Sequence, residues 1–254
     1  MLPLAERMRP KSLDDYIGQK HLVGEEAILR RMIESGNIAS FILWGPPGVG
    51  KTTFARIIAH HLERPFYTLS AVTSGVKEVR EVIEKAKHRA AMNGGLFAPS
   101  DNRCPILFID EIHRFSKSQQ DSLLGAVEEG TITLIGATTE NPSFNLTNAL
   151  LSRCHIGVLS GLSTEDLLTL IERAEKFLAK NLPLDKNART HLAQMADGDA
   201  RFLLNTVEYL INANFKEPLT PDALDSAVQK RAPLSDKHGD EHYNLISAVH
   251  KSLR

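Results

Sequence analysis

The 254-residue sequence predicts an α/β fold, a doubly wound parallel sheet followed by a small helical domain. Three observations point there. Short apolar runs of strand length alternate with segments of helical period, a glycine-rich loop follows the first run directly, and after Gly161 the pattern becomes helical throughout. Strands separated by helices require crossover connections, and these give parallel sheets covered on both faces.

Residues 1–40 are mixed and charged, with a helical pattern around Ala27, Ile28, Arg31 and Met32. The runs Phe41–Trp44, Phe66–Leu69, Ile106–Ile109, Ile132–Ile135 (within a longer strand, Thr131–Ala137) and Ile156–Leu159 have the length and β-branched content of buried strands. Helical period marks Thr53–His61 and the set Val79, Val82, Ile83, Ala86 and Ala90. From Asn93 to Asn102 the chain has loop composition, with Gly94, Gly95, Pro99 and Ser100, and reads as a tolerated surface insertion. Ser163 and Asp166 then form a capping-box signature, and Leu167, Leu170, Ile171, Ala174 and Phe177 follow at helical spacing. Further helices are expected over Ala188–Met195, Ala200–Asn212 and Pro221–Gln229. The expected layout is an α/β core over residues 1–161, a helical lid over 162–236 and, over 237–254, the start of a truncated C-terminal helical region.

Lysine plus arginine number 30 against 31 acidic residues, a formal net charge of -1, so any nucleic-acid contact must come from local patches. The best local candidate is the helix from Val76 onward, with Lys77, Arg80, Lys85, Lys87 and Arg89. Its interleaved Glu78, Glu81 and Glu84 read instead as a solvated, salt-bridged face. Thr73 and Ser74 stand where they would cap that helix. The two cysteines, Cys104 and Cys154, lack zinc-ligand spacing and read as buried thiols of a reducing compartment. The charged N-terminus is no secretory leader, and no segment approaches about 18 apolar residues, so a cytoplasmic location is expected.

Gly45-Pro46-Pro47-Gly48-Val49-Gly50-Lys51-Thr52 fits G-x-x-x-x-G-K-[ST] at every fixed position, between a predicted strand and a predicted helix. Glycines let the backbone N–H groups close into a nest around phosphates at a helix N-terminus. Lys51 would reach the β- and γ-phosphates of ATP, and Thr52 would ligate magnesium; Thr53, next in the helix, joins the nucleotide-binding set. Asp110-Glu111 closes the strand Ile106–Ile109, at the sheet end where α/β proteins place ligands. Asp110 is expected on the magnesium side and Glu111 on the water side. Thr138 and Thr139 end the following strand and Ser70 ends the second. Each could approach the γ-phosphate, or simply reflect the strand preference of its residue type. Arg153 and Arg201 read by themselves as surface arginines.

The order of P-loop, Asp110-Glu111, Thr138-Thr139, Ser152-Arg153-Cys154 and Gly198-Asp199-Ala200-Arg201 resembles the clamp-loader branch of AAA+ ATPases. Longer strings narrow the resemblance to the replication-associated recombination protein A family, whose eukaryotic relative is the Werner helicase-interacting ATPase. These are Arg9-Pro10, Tyr16-Ile17-Gly18-Gln19, Ser70–Glu78, His113-Arg114-Phe115, Lys117–Gln120 and Gly136–Phe144. The resemblance implies that Tyr16, Ile17 and Gly18 lie against adenine. It also implies that Thr139 is sensor 1, Arg153 an arginine finger offered to a neighbouring subunit, and Arg201 the sensor 2 residue of the lid. Thr138 stays open as the alternative sensor, because Asn141–Phe144 look inserted relative to ordinary clamp loaders. The family further implies a DNA-stimulated ATPase at stalled forks or single-stranded DNA, a nucleoid location, single-strand-binding protein as a partner, and a homotetramer held by a C-terminal helical domain. Two rival readings stand beside it: an ATP-controlled scaffold that recruits replication or repair proteins, and a Holliday-junction branch migration motor, which shares the P-loop and the threonine strand end but not the longer strings.

Overall fold

The computed structural model describes residues 2–93, 104–215 and 217–229, with the side chains of 89–93 and 229 excepted. In chain order the elements are α1 (Leu4–Arg7), α2 (Lys20–Val23), α3 (Ile28–Glu34), β1 (Phe41–Trp44), α4 (Lys51–His61), β2 (Phe66–Ser70) and α5 (Val76–Asn93). There follow β3 (Ile106–Asp110), a 3-10 turn (Ile112–Arg114), α6 (Lys117–Glu128), β4 (Thr133–Thr138), α7 (Pro142–Asn145), α8 (Asn148–Leu151) and β5 (His155–Val158). Four helices complete the order: α9 (Thr164–Leu178), α10 (Lys186–Met195), α11 (Ala200–Ala213) and α12 (Pro221–Gln229). Asn93 closes α5. The rest of the expected insertion, the Arg89 side chain and the expected region over 237–254 lie outside the described residues.

The strands form one sheet in the order β2-β3-β4-β1-β5, with every pairing parallel. Alternation along each strand sends side chains to opposite faces. Phe41, Leu43, Ile106, Phe108, Ile135 and Ala137 pack with Ile33, Phe54 and Ile58 of α3 and α4 on one face. Ile42, Leu107, Ile109 and Leu134 pack with Val79, Ile83 and Leu123 of α5 and α6 on the other. Residues Ile106 to Ile109 are 0 % exposed, as a strand covered on both sides must be. Register pairs Trp44 with Thr138 and Ser70 with Asp110, so the strands release their loops along one carboxyl edge.

The helices after β5 enclose a second core, built from Leu167, Ile171, Ala174, Leu192, Leu203 and Val207 among others. Ser163 and Asp166 form the capping box at the start of α9, with both reciprocal bonds present. Three features depart from the sequence expectation. Leu4 of α1 is 0 % exposed inside this second core, so the first residues of the chain pack against the helical part instead of the sheet. A segment of four residues with one buried leucine has no period to betray it. Second, α6 to α8 were not legible by period; Ser116 and Gln119 cap α6 with a full capping box, and Thr147 caps α8. Third, α5 is closed at its start by Glu78, whose Oε2 accepts from the Gly75 N–H at 2.8 Å, where Thr73 and Ser74 were the expected caps.

Candidate active site

A cleft of about 540 Å³ opens at the carboxyl edge of the sheet, between the sheet and the second core. This volume suits a small-molecule or cofactor site. Pro47, Gly48, Val49, Gly50, Lys51, Thr52 and Thr53 line one wall, with Asp110, Glu111 and Thr139 beside them. Tyr16 and Ile17 line it from the N-terminal segment, and Arg201 from the first turn of α11. Four residues of the expected set do not line it. Gly45 and Pro46 lie behind the wall, and their carbonyls accept from Lys51 Nζ at 2.7 and 2.8 Å. Gly18 turns the chain at φ 76, where an added Cβ would meet Leu162 Cδ2 at 2.6 Å. Arg153 follows α8 on the outer surface; it pairs with Glu128 and donates to Ala149 O at 2.6 Å.

The loop from β1 to α4 can take its shape only because Gly48 and Gly50 adopt φ 69 and 99. A Cβ at Gly48 would lie 1.8 Å from Asp199 Oδ1. Asp199 is the N-cap of α11, accepting from Phe202 N at 2.8 Å, and Ala200 N donates to Gly48 O at 3.3 Å. The N-terminus of α11 is thereby seated on the phosphate loop, with Arg201 in its first turn. On the opposite side the Tyr16 hydroxyl donates to Val49 O at 3.2 Å, and its ring packs on Phe54. Burial raises the Tyr16 phenol well above its ordinary pKa, so it stays a donor.

Lys51 is buried, 7 % exposed. Burial is the main influence on its ammonium and lowers the pKa; Glu111 and then Asp110 oppose that shift, with smaller effects from Arg201 and Asp199. Glu111 sits in the left-handed region at φ 54, uncommon for a non-glycine residue and typical of sites that hold a side chain at an imposed angle. Thr139 Oγ1 donates to Glu111 Oε2 at 3.4 Å. Thr138, by contrast, is 0 % exposed, and its Oγ1 bonds the Glu140 backbone and His113 Nδ1. Of the two threonines, Thr139 is the one in the cleft. Ser70 is not part of the wall.

Sequence reasoning gave no role to several residues that build this site. Arg9 donates from Nη1 to Thr53 Oγ1 at 2.8 Å and pairs with Glu6, which also takes Arg56 at 2.8 Å. The Arg9 hydrogen bond is the main reason the Glu6 carboxyl lies below its usual pKa. Gln19 exchanges two bonds with the Ser160 backbone, at 2.6 and 3.0 Å, fixing the N-terminal segment where the sheet gives way to the helices. Gly198, at φ 83, stands against Gly161 so closely that a Cβ would lie 2.7 Å from Gly161 Cα. The motif Gly198-Asp199-Ala200-Arg201 did carry a signal for this contact, a glycine followed by a helix-capping aspartate.

Residues 41–162 match the model of the ATPase family associated with various cellular activities (AAA), and 178–254 match that of the AAA C-terminal domain. The chain is 46 % identical over 262 residues to replication-associated recombination protein A of Escherichia coli K12, an alignment covering 99 % of this chain and 57 % of that protein. The chain is an AAA ATPase homologous to the replication-associated recombination protein A family. The AAA ATPase is also 43 % identical to ATPase WRNIP1 of Dictyostelium discoideum, over 99 % of this chain and 30 % of that one. Among solved structures it resembles the Thermotoga maritima RuvB Holliday junction branch migration motor, with a TM-score of 0.68 and 26 % identity over 88 % of this chain and 72 % of that one. The chain spans little more than half the length of the E. coli relative. Nucleotide binding goes with the AAA match. Among the described residues no helix is long and apolar enough to cross a membrane. Cys104 and Cys154 are free and partly buried, and burial pushes the Cys154 thiol up to about 12.

Proposed function

We propose that this AAA ATPase binds MgATP between a core over 1–161 and a lid over 162–236, and hydrolyses it through Glu111. The observation that carries the reading is the convergence of Lys51, Thr52, Asp110, Glu111, Thr139 and Arg201 on one cleft. Lys51 holds phosphate charge, and the amides of Gly48 to Thr52 surround it at the start of α4. The hydroxyl of Thr52 and the carboxylate of Asp110 are hard oxygen donors of the kind magnesium takes, and the ion would neutralise charge on the terminal phosphates. Glu111 orients the attacking water and accepts its proton, Thr139 holds the same carboxylate, and Arg201 reads the γ-phosphate from the lid. Tyr16 and Ile17 face the adenosine end of the cleft, with the turn at Gly18 behind them. Arg153, turned away from its own cleft, acts on the site of a neighbouring subunit.

Glu111→Gln separates binding from chemistry, because the amide keeps the shape and loses the charge. The variant is expected to bind labelled ATP with unchanged affinity and leave it intact through a chase that the unsubstituted protein completes. Turnover at the ordinary rate would remove Glu111 from the reaction.

For the biological role we propose action in DNA replication, recombination and repair at stalled forks or single-stranded DNA. The support is the 46 % identity to a protein named for replication-associated recombination. With it come the proposals of a cytoplasmic, nucleoid-associated homotetramer that meets single-strand-binding protein. The RuvB likeness favours a second reading, branch migration, and an ATP-controlled scaffold is the third. ATP turnover with single-stranded, forked and junction DNA compared side by side tells them apart. The fork reading expects the largest stimulation on single-stranded or forked DNA. Stimulation confined to four-way junctions would favour the motor, and turnover indifferent to all three would favour the scaffold.

A further inference from the structure

We infer that His113 is a positioning residue that fixes the carboxylate of Glu111; the inference rests on the proposed role of Glu111 in hydrolysis. His113 lies in the 3-10 turn that follows Glu111, with its side chain only 6 % exposed. Its Nδ1 stands 3.3 Å from Glu111 Oε2 and 2.9 Å from Thr138 Oγ1. Its Nε2 stands 3.4 Å from Glu140 Oε1. The ring therefore bridges the carboxylate at the cleft and a second carboxylate beyond the end of β4.

Hydrogen-bond accounting assigns the roles. The Thr138 hydroxyl donates to Glu140 O at 3.2 Å and accepts from Glu140 N at 3.0 Å. With that hydrogen directed at the carbonyl, Thr138 Oγ1 faces the ring as an acceptor, so Nδ1 is the donor. The same nitrogen also faces Glu111 Oε2 at 3.3 Å, an electrostatic contact beside its hydrogen bond to Thr138. Glu140 is itself held, because its Oε2 accepts from Asn145 Nδ2 at 2.7 Å. Thr139 Oγ1 donates to the same Glu111 oxygen at 3.4 Å. Both contacts fall on Oε2 of Glu111 and leave its other oxygen for water. Partners that orient metal ligands contribute roughly 10- to 100-fold to affinity or activity, and an effect of that order is expected for a partner that orients Glu111.

A purely architectural role would make His113 a tie between the 3-10 turn and β4, and its loss would disturb folding and nucleotide binding together. The two roles separate in kinetics. On the intact protein, His113→Ala is expected to lower kcat for ATP by roughly 10- to 100-fold, with KM and ATP affinity unchanged. His113→Asn, whose amide N–H can meet the same acceptor, should recover part of that loss. Adding His113→Ala to Glu111→Gln should slow the residual single-turnover hydrolysis, followed well beyond the chase that the unsubstituted protein completes, no further than Glu111→Gln alone, since the residue has no carboxylate left to position. Where His113→Ala does not fold, His113→Leu keeps the bulk, removes both nitrogens and should show the same loss. Unchanged kcat in a folded His113→Ala or His113→Leu overturns the inference, as does a parallel loss of affinity or an additive loss in the double variant. If Glu111→Gln turns over normally, the function proposed for Glu111 fails instead; if it is dead while His113→Ala runs at full rate, only the positioning role fails.

Discussion

Lys51 occupies two opposed environments at once, a buried position that disfavours its charge and a pair of carboxylates, Glu111 and Asp110, that favour it. The bonds to Gly45 O and Pro46 O hold its ammonium inside the curve of the loop, where incoming phosphate oxygens can replace the carbonyls. Hydrogen bonds to charged groups are worth about 1.5–3 kcal/mol, so Lys51→Ala is expected to weaken ATP binding by roughly 10- to 100-fold, measured by titration with labelled nucleotide. Unaltered affinity would detach the site from the loop. At this scale the P-loop and Asp110-Glu111 were legible because their chemistry is local in sequence. Thr138 and Thr139 were not separable, because a strand sends adjacent residues to opposite sides and the boundary had to be known to one position. The role of His113 was hidden for another reason: its partners Thr138 and Glu140 lie at and just beyond the end of β4, far from it in sequence.

The element that completes the cleft is α11, whose N-terminus sits on the phosphate loop through Asp199 and Ala200. That docking depends on the approach of Gly198 to Gly161, two backbones with no room for a Cβ between them. Gly198→Ala is expected to cost about 1–2 kcal/mol from the left-handed conformation alone, and more from displaced backbone. Thermal unfolding should shift down, and ATP affinity should fall because Arg201 and Asp199 move with the helix. A fall in stability with unchanged affinity would mean that α11 does not contribute to binding. The periodic helices α9 to α12 and the five strands were readable in the sequence because each carries its own apolar stripe or run. Neither α1 nor α7 was readable, since elements of four residues owe their place to tertiary packing, as Leu4 does in the second core.

At the scale of the whole molecule the site faces outward in one respect. Arg153 is held by Glu128, Ala149 and Ser152 on the surface, away from the cleft of its own chain. Its proposed target is the γ-phosphate of a neighbour, a contact worth roughly 10³–10⁵ in rate where such fingers operate. No single-chain structure makes that contact, and only the order of motifs in the family resemblance marked the residue. By this mechanism ATP is hydrolysed by Glu111 of one subunit together with Arg153 of the next. Mixing Glu111→Gln protein with Arg153→Ala protein, each inactive alone and each still binding ATP, tests it most directly. Turnover should reappear in proportion to the interfaces that join an intact Glu111 to an intact Arg153. A mixture that stays inactive while labelled subunits demonstrably exchange, or an Arg153→Ala parent that hydrolyses ATP at the full rate, would contradict the account.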